Sequence, residues 1–222
     1  MLASVGFITT ALFFGIFAFT FDHLALKNIR LKLTGFSFAY YSLAAAFLIW
    51  GIAAAMQDQY FLSVSVLIGN ALLLIGTLCM ANLLIKSNRT LLLLIGSGIG
   101  AILLLARITY FFPEPSVRDG ILFFNTQTPV ALLLGALIVF IWLPANVYVA
   151  KKIAHTVKQD NIASIYAWIY GVATLASLIF LSARRTVTII LSFVALGMCF
   201  VVLIVSNVGI RFIKEHNDKP RS

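Results

Sequence analysis

The stretch YFLSVSVLIGNALLLIGTLCMANLLI, Tyr60–Ile85, decides the fold class. It carries no charged residue, and its polar content is a scatter of Ser, Thr and Asn. A helix needs roughly 20 such residues to cross the hydrocarbon core of a bilayer. Working outward, six further apolar runs of similar size occur, at 2–21, 36–56, 90–112, 121–150, 162–183 and 187–207. Pro129 follows the polar segment Asn125-Thr126-Gln127-Thr128, so the helix of the 121–150 run is expected to start there, with proline in its first turn. The expected architecture is an all-α membrane protein, a single domain over 1–207 built as a seven-transmembrane helix bundle. A polar tail follows at 208–222.

Composition agrees. Of 222 residues, 62% are hydrophobic and only 10% charged, and the mean hydropathy is +1.05. Soluble domains average about 45–50% apolar and about 25% charged. A soluble enzyme, a secreted disulfide scaffold and a disordered chain are thereby excluded. The formal net charge is +9. Its basic residues lie in short segments between apolar runs, which is a pattern of membrane orientation and not a groove for phosphates; no nucleic-acid partner is expected. Cys79 and Cys199 lie inside apolar runs and read as small buried side chains.

Orientation follows from counting Lys and Arg. Lys27, Arg30, Lys32, Lys86, Arg89, Lys151, Lys152, Lys158, Arg211, Lys214, Lys219 and Arg221 fall on one side. Arg118, Arg184 and Arg185 fall on the other, and Arg107 lies inside the fourth run. The bias predicts an outside N-terminus and a cytoplasmic C-terminus, which an odd number of spans satisfies. The first run has no basic residue before it and a basic flank after it, unlike a cleaved signal peptide.

Runs 1–3 and 5–7 share a layout. At an offset of 125 residues Lys27 falls on Lys152, Asn82 on Asn207 and Lys86 on Arg211, a 3+1+3 parallel repeat with the fourth helix as linker. The stretch Lys32-Leu-Thr-Gly-Phe-Ser-Phe, leading into a helix that ends Leu48-Ile-Trp50-Gly51, resembles the first repeat of the SWEET/PQ-loop family. So does Trp142-Leu-Pro144-Ala-Asn-Val-Tyr-Val-Ala-Lys151-Lys152, with Pro144 at the family's PQ proline. That resemblance implies passage of a small solute. Ala145 stands where the family has Gln, and the first, second and sixth runs lack a proline hinge.

A second resemblance spans nearly the whole chain. Its length, orientation, basic first inner loop and a second helix ending at Trp50 are similar to the seven-helix membrane sensor regions of bacterial and archaeal histidine kinases. Phe112-Pro113-Glu114-Pro115-Ser-Val-Arg-Asp-Gly120-Ile-Leu-Phe resembles the outer loop before their fifth helix. This resemblance implies a receptor or sensor. Because the chain ends soon after the seventh run, its output is expected to pass through a signalling partner.

The chemistry expected is binding, not catalysis. His23, His155 and His216 fall at or beyond helix ends, which disfavours haem ligation, and they make no zinc spacing with the cysteines. No Asp, Glu or Lys sits at mid-span, so a proton relay or a retinal Schiff base has no group to use. No enzyme activity, cofactor or metal is expected.

Arg107 is the one charge well inside a span, five residues below the outer end of its run, or roughly 8 Å at the helical rise. An intramembrane Arg points to function, against the simpler reading that it snorkels outward to Glu114 or Asp119. With Tyr110, Asn125, Gln127 and Asn70 it is expected to line a small outer-facing ligand pocket. For Asn70 and Asn146 the simpler reading is an interhelical hydrogen bond. Pro144 is a hinge or a static bend. Gly96 and Gly100 form a GxxxG pair, read as helix packing. Trp50, Trp142, Trp168 and the tyrosines, Tyr40 among them, read mostly as interfacial anchors. Partners are the lipid bilayer, a small ligand, and either a signalling protein or the other subunits of a membrane complex.

Overall fold

A computed structural model of the chain describes residues 2–27, 34–85, 89–118, 121–157, 169, 176, 187, 189–199, 201, 202 and 205. Nearly all of the sixth run, Trp168, Arg184, Arg185, the 208–222 tail and the basic residues Arg30, Lys32, Lys86 and Lys158 lie outside these. The elements run α1 (Leu2–Lys27), α2 (Thr34–Met56), α3 (Gln59–Leu84), α4 (Arg89–Thr109), β1 (Ser116–Arg118), β2 (Ile121–Phe123), α5 (Thr128–Leu137), a π turn (Ile138–Trp142) and α6 (Leu143–Val157). Among the described residues, three helices are long and apolar enough to cross a membrane: Thr34–Met56, Gln59–Leu84 and Thr128–Val149. Ser4–Phe19, Leu93–Thr109 and Ile189–Cys199 are shorter apolar helices.

The α2–α3 corner is written into three residues. Gln57 takes a left-handed backbone at φ 57°, which stops α2. Asp58 then caps α3, its carboxylate accepting from the Phe61 N–H at 2.7 Å. α1 packs along α2, and α2 along α3, while α4 leans chiefly on α3. α6 and the π turn also rest on α3, which makes α3 the central helix of the described bundle.

The 121–150 run is not one helix. Its first three residues form β2, which pairs antiparallel with β1 in the register Ser116↔Phe123, Val117↔Leu122 and Arg118↔Ile121. The helix starts at Thr128, with Pro129 in the first turn as expected. β2 is the apolar strand because it packs into the bundle: Leu122, Phe123 and the following Phe124 are buried, while β1 carries exposed Arg118. The Phe124 ring lies 4.8 Å from Trp50 and 6.0 Å from Phe7. Gln59 at the start of α3 donates to the Pro115 carbonyl at 2.6 Å and ties the hairpin to the α2–α3 corner.

The core is aromatic. Phe7, Phe14 and Phe17 of α1 meet Phe36, Tyr40, Phe47 and Trp50 of α2, with Phe17 and Tyr40 ring centres 4.6 Å apart. Phe193, in the Ile189–Cys199 helix, reaches Phe7 edge-on at 5.7 Å. Trp50 and Trp142 are 1% and 5% exposed, and Tyr40 is 5% exposed. The interfacial reading is therefore corrected for these three. Both indoles lie over glycines of α3: a Cβ on Gly69 would collide with the Trp50 ring, and one on Gly76 would come within 3.1 Å of Trp142. Glycine allows this close approach because nothing projects from its Cα. Gly69 and Gly76 are two turns apart and share one face of α3.

The indole N–H groups are satisfied on the same helix. Trp50 donates to the Ser65 carbonyl at 3.1 Å, and Trp142 donates to the Thr77 hydroxyl at 2.8 Å. Tyr40 donates to the Asn146 Oδ1 at 2.8 Å, joining α2 to α6. Asn146 thus makes the expected interhelical bond.

Candidate functional site

α4 approaches α5 over a gap floored by α3, and the gap forms a half-open cavity of about 270 Å³. Asn70 and Leu74 come from α3, Leu103, Leu104, Ala106 and Arg107 from α4, and Phe111 from the bend after it. Pro129, Val130, Leu133, Leu134 and Leu137 come from α5. The walls are apolar with two polar side chains, Arg107 and Asn70, which are 5% and 7% exposed. Such a ratio of apolar wall to few polar groups is typical of small-molecule sites.

Arg107 sits in the last turn of α4. Its Nη1 donates to the Phe111 carbonyl and makes a long contact to the Gln127 Oε1 at 3.5 Å. A cation suits this place, since the final helical carbonyls have no partner within the helix. Its Nε is buried without an acceptor. Glu114, the expected snorkelling partner, is exposed, and Arg107 forms no ion pair with a described acid. Asp119 lies outside the described residues. The side-chain amide of Asn70 makes no hydrogen bond to a described residue, in contrast to Asn146.

The structure brings Arg107 and Asn70 to one cavity, with Gln127 against Arg107. Tyr110 is 80% exposed and outside the lining. Asn125 is also outside it: the left-handed residue at φ 45° donates from Nδ2 to the Glu114 carbonyl at 2.9 Å and to the Ser116 hydroxyl at 3.0 Å. An Asn tolerates this backbone, and its amide closes the loop that carries the hairpin.

Pro144 lies two residues beyond the π turn, where the Leu143 N–H reaches back to the Ile138 carbonyl. Two causes of a helix bend, a π turn and a proline, therefore stand side by side. The sequence indicates only the second, since a π turn has no residue signature. Of the GxxxG pair, Gly96 faces α3, where a Cβ would collide with the Leu78 side chain, and Gly100 has nothing within 4 Å. Packing by Gly96 is therefore within the chain.

The chain matches no protein-family model, no curated protein and no solved structure.

Proposed function

We propose that the chain is a multi-pass receptor of the cell membrane, a seven-helix bundle with its N-terminus outside. In this reading it takes a small ligand in the α3–α4–α5 cavity and passes the signal to a partner protein. One observation carries the proposal: a buried guanidinium with unused donors lines an apolar cavity. Elsewhere in the described core, the polar side chains of Tyr40, Trp50, Thr77, Trp142 and Asn146 bond to one another or to the backbone, while Asn82 Oδ1 is also buried without a partner. Such an interior suits a bundle that shifts between two packings on binding, and among the described residues it offers few polar groups for a solute path. The resemblance to histidine-kinase sensor regions supports the same reading, and the Lys and Arg bias supports the orientation.

A second reading, a structural subunit of a membrane complex, is favoured by α4. Gly98 stands open on the same face as exposed Leu94, Ile102 and Leu105, a face that another helix could cover.

Two measurements on the full chain test the receptor. In a background with Cys79 and Cys199 changed to Ala, an impermeant thiol reagent added outside cells should label Asp58→Cys and miss Lys152→Cys; the reverse pattern removes the orientation. Proteoliposomes should show no saturable uptake of sugars or amino acids. Saturable uptake lost in Asn70→Ala or Pro144→Ala would replace the receptor by a SWEET-like facilitator.

A further inference from the structure

We infer that the α3–α4–α5 cavity is selective for an anion bearing a short apolar chain, with Arg107 as the group that selects it; this rests on the receptor reading above. The argument begins with which donors of Arg107 are used. Nη1 is held by the Phe111 carbonyl and Gln127. Nε has no acceptor, and no described residue accepts from Nη2. The free edge is therefore the Nε–Nη2 edge, two N–H groups pointing the same way. That edge matches the two oxygens of a carboxylate or phosphate, the bidentate geometry in which Arg excels.

The electrical balance points the same way. A buried cation without an opposite charge is costly, and here no described acid stands against it. A bound anion supplies the missing charge. Asn70, across the cavity floor, offers an amide N–H₂ to the same head group. The remaining lining is Leu, Val, Phe, Pro and Ala, which favours a hydrocarbon tail and rejects a sugar or a zwitterion.

Size limits the tail. The cavity of about 270 Å³ is roughly nine times the share of one water in the liquid, so it takes on the order of ten heavy atoms. Hexanoate and octanoate fit that bound. Nε is itself enclosed, so binding at this edge requires the guanidinium to turn toward the cavity. Exposed Leu133 lies at the open rim, where a chain can enter. The same chemistry is available from a free carboxylate or from the head group of an anionic lipid.

The test uses the full chain in phosphatidylcholine nanodiscs, with its thermal unfolding midpoint followed against hexanoate, octanoate, hexanol and hexylamine. The acids should raise the midpoint saturably, at half-saturating concentrations about tenfold or more below those of the alcohol, as loss of a charged hydrogen-bonding head group implies. Arg107→Gln should erase the preference for acid over alcohol. Arg107→Lys keeps the charge and loses the fork, so it should weaken the acid several-fold; it carries the test if Arg107→Gln does not fold. Ala106→Leu, which fills the cavity, should weaken acid and alcohol alike. Nanodiscs of phosphatidylglycerol separate the sources: an Arg107-dependent rise without added acid assigns the anion to a lipid head group, and no rise assigns it to a free carboxylate. Equal half-saturation for acid and alcohol, with both lost in Ala106→Leu, overturns the anion selectivity and leaves the cavity as a ligand site. Acid binding untouched by Ala106→Leu places the acid elsewhere and overturns the inference. If none of the probes shifts the midpoint, the inference falls, and the receptor reading is decided by the labelling and uptake measurements above.

Discussion

The α1–α2–α3 side of the bundle and the α3–α4–α5 side share one helix and differ in how completely they are filled. On the first side Trp50 seats over Gly69 with its N–H bonded to Ser65, and Phe7, Phe47 and Phe124 close around it. On the second side the neighbouring residue, Asn70, faces open space, and Arg107 keeps unused donors. Gly69 and Asn70 are adjacent in sequence, so their side chains leave α3 about 100° apart, and one helix serves both a sealed core and a cavity. Interiors are close-packed because voids forfeit contact energy. In the receptor reading proposed above, the void beside this tightly packed core is where the ligand binds.

The largest expected contrast comes from emptying each side. Trp50→Ala should destabilise the protein by about 3–5 kcal/mol, as for other large buried aromatics. Leu74→Ala removes a side chain that already borders free volume and leaves fewer contacts to lose. It should cost less than about 2 kcal/mol, the low end of the Leu→Ala range. Unfolding in mild detergent titrated with denaturing detergent measures both. Equal losses would mean that the cavity is closed in solution.

Filling is the next contrast. Gly69→Ala puts a methyl group into the Trp50 indole, a rigid ring held by its bond to Ser65, and overpacking of this kind costs about 1–3 kcal/mol. Gly100→Ala meets nothing within 4 Å and gains helix propensity worth up to about 1 kcal/mol. The first should unfold earlier than the parent and the second no earlier. Gly98 also has nothing within 4 Å, and a destabilised Gly98→Ala variant would show that its face of α4 is covered by another helix, which is what the subunit reading requires.

These contrasts also mark what the sequence could and could not say. The three long apolar helices, Thr34–Met56, Gln59–Leu84 and Thr128–Val149, are legible because an uncharged run of more than 20 residues leaves few alternatives. Arg107 was legible as a singular charge in such a run. Trp50 and Trp142 read as interfacial anchors in the sequence because an aromatic near the end of an apolar run looks the same whether it meets lipid head groups or a glycine on the next helix. The informative signal was Gly69 and Gly76, seven apart in α3, and it has meaning only with both partners in view. The 121–123 strand is hidden in the same way, since a short buried strand is as apolar as a helix. Tyr110 and Asn125 read as pocket residues because they lie, with Arg107 and Gln127, near the outer ends of their runs. Three-dimensional direction separates them: Tyr110 lies past the end of α4, and the Asn125 amide is spent on its own loop.

The smallest contrast is between two asparagines that look alike in sequence. Asn146 accepts from the Tyr40 hydroxyl, and both are buried. Asn146→Leu leaves that hydroxyl without an acceptor and should cost about 1–2 kcal/mol, in the range found for polar contacts between membrane helices and for orphaned buried donors. Asn70 has no described hydrogen bond to lose, so Asn70→Leu should change stability by no more than about 0.5 kcal/mol in either direction. The leucine also adds apolar surface against Leu74 and Leu134, which pushes the sign toward stabilisation. Unfolding midpoints of the two variants and of Tyr40→Phe decide the matter. Tyr40→Phe should relieve most of the cost of Asn146→Leu, since the orphan is then gone, and should leave Asn70→Leu unchanged. A cost for Asn70→Leu equal to that of Asn146→Leu would show that Asn70 holds the bundle together and would take it out of the binding site.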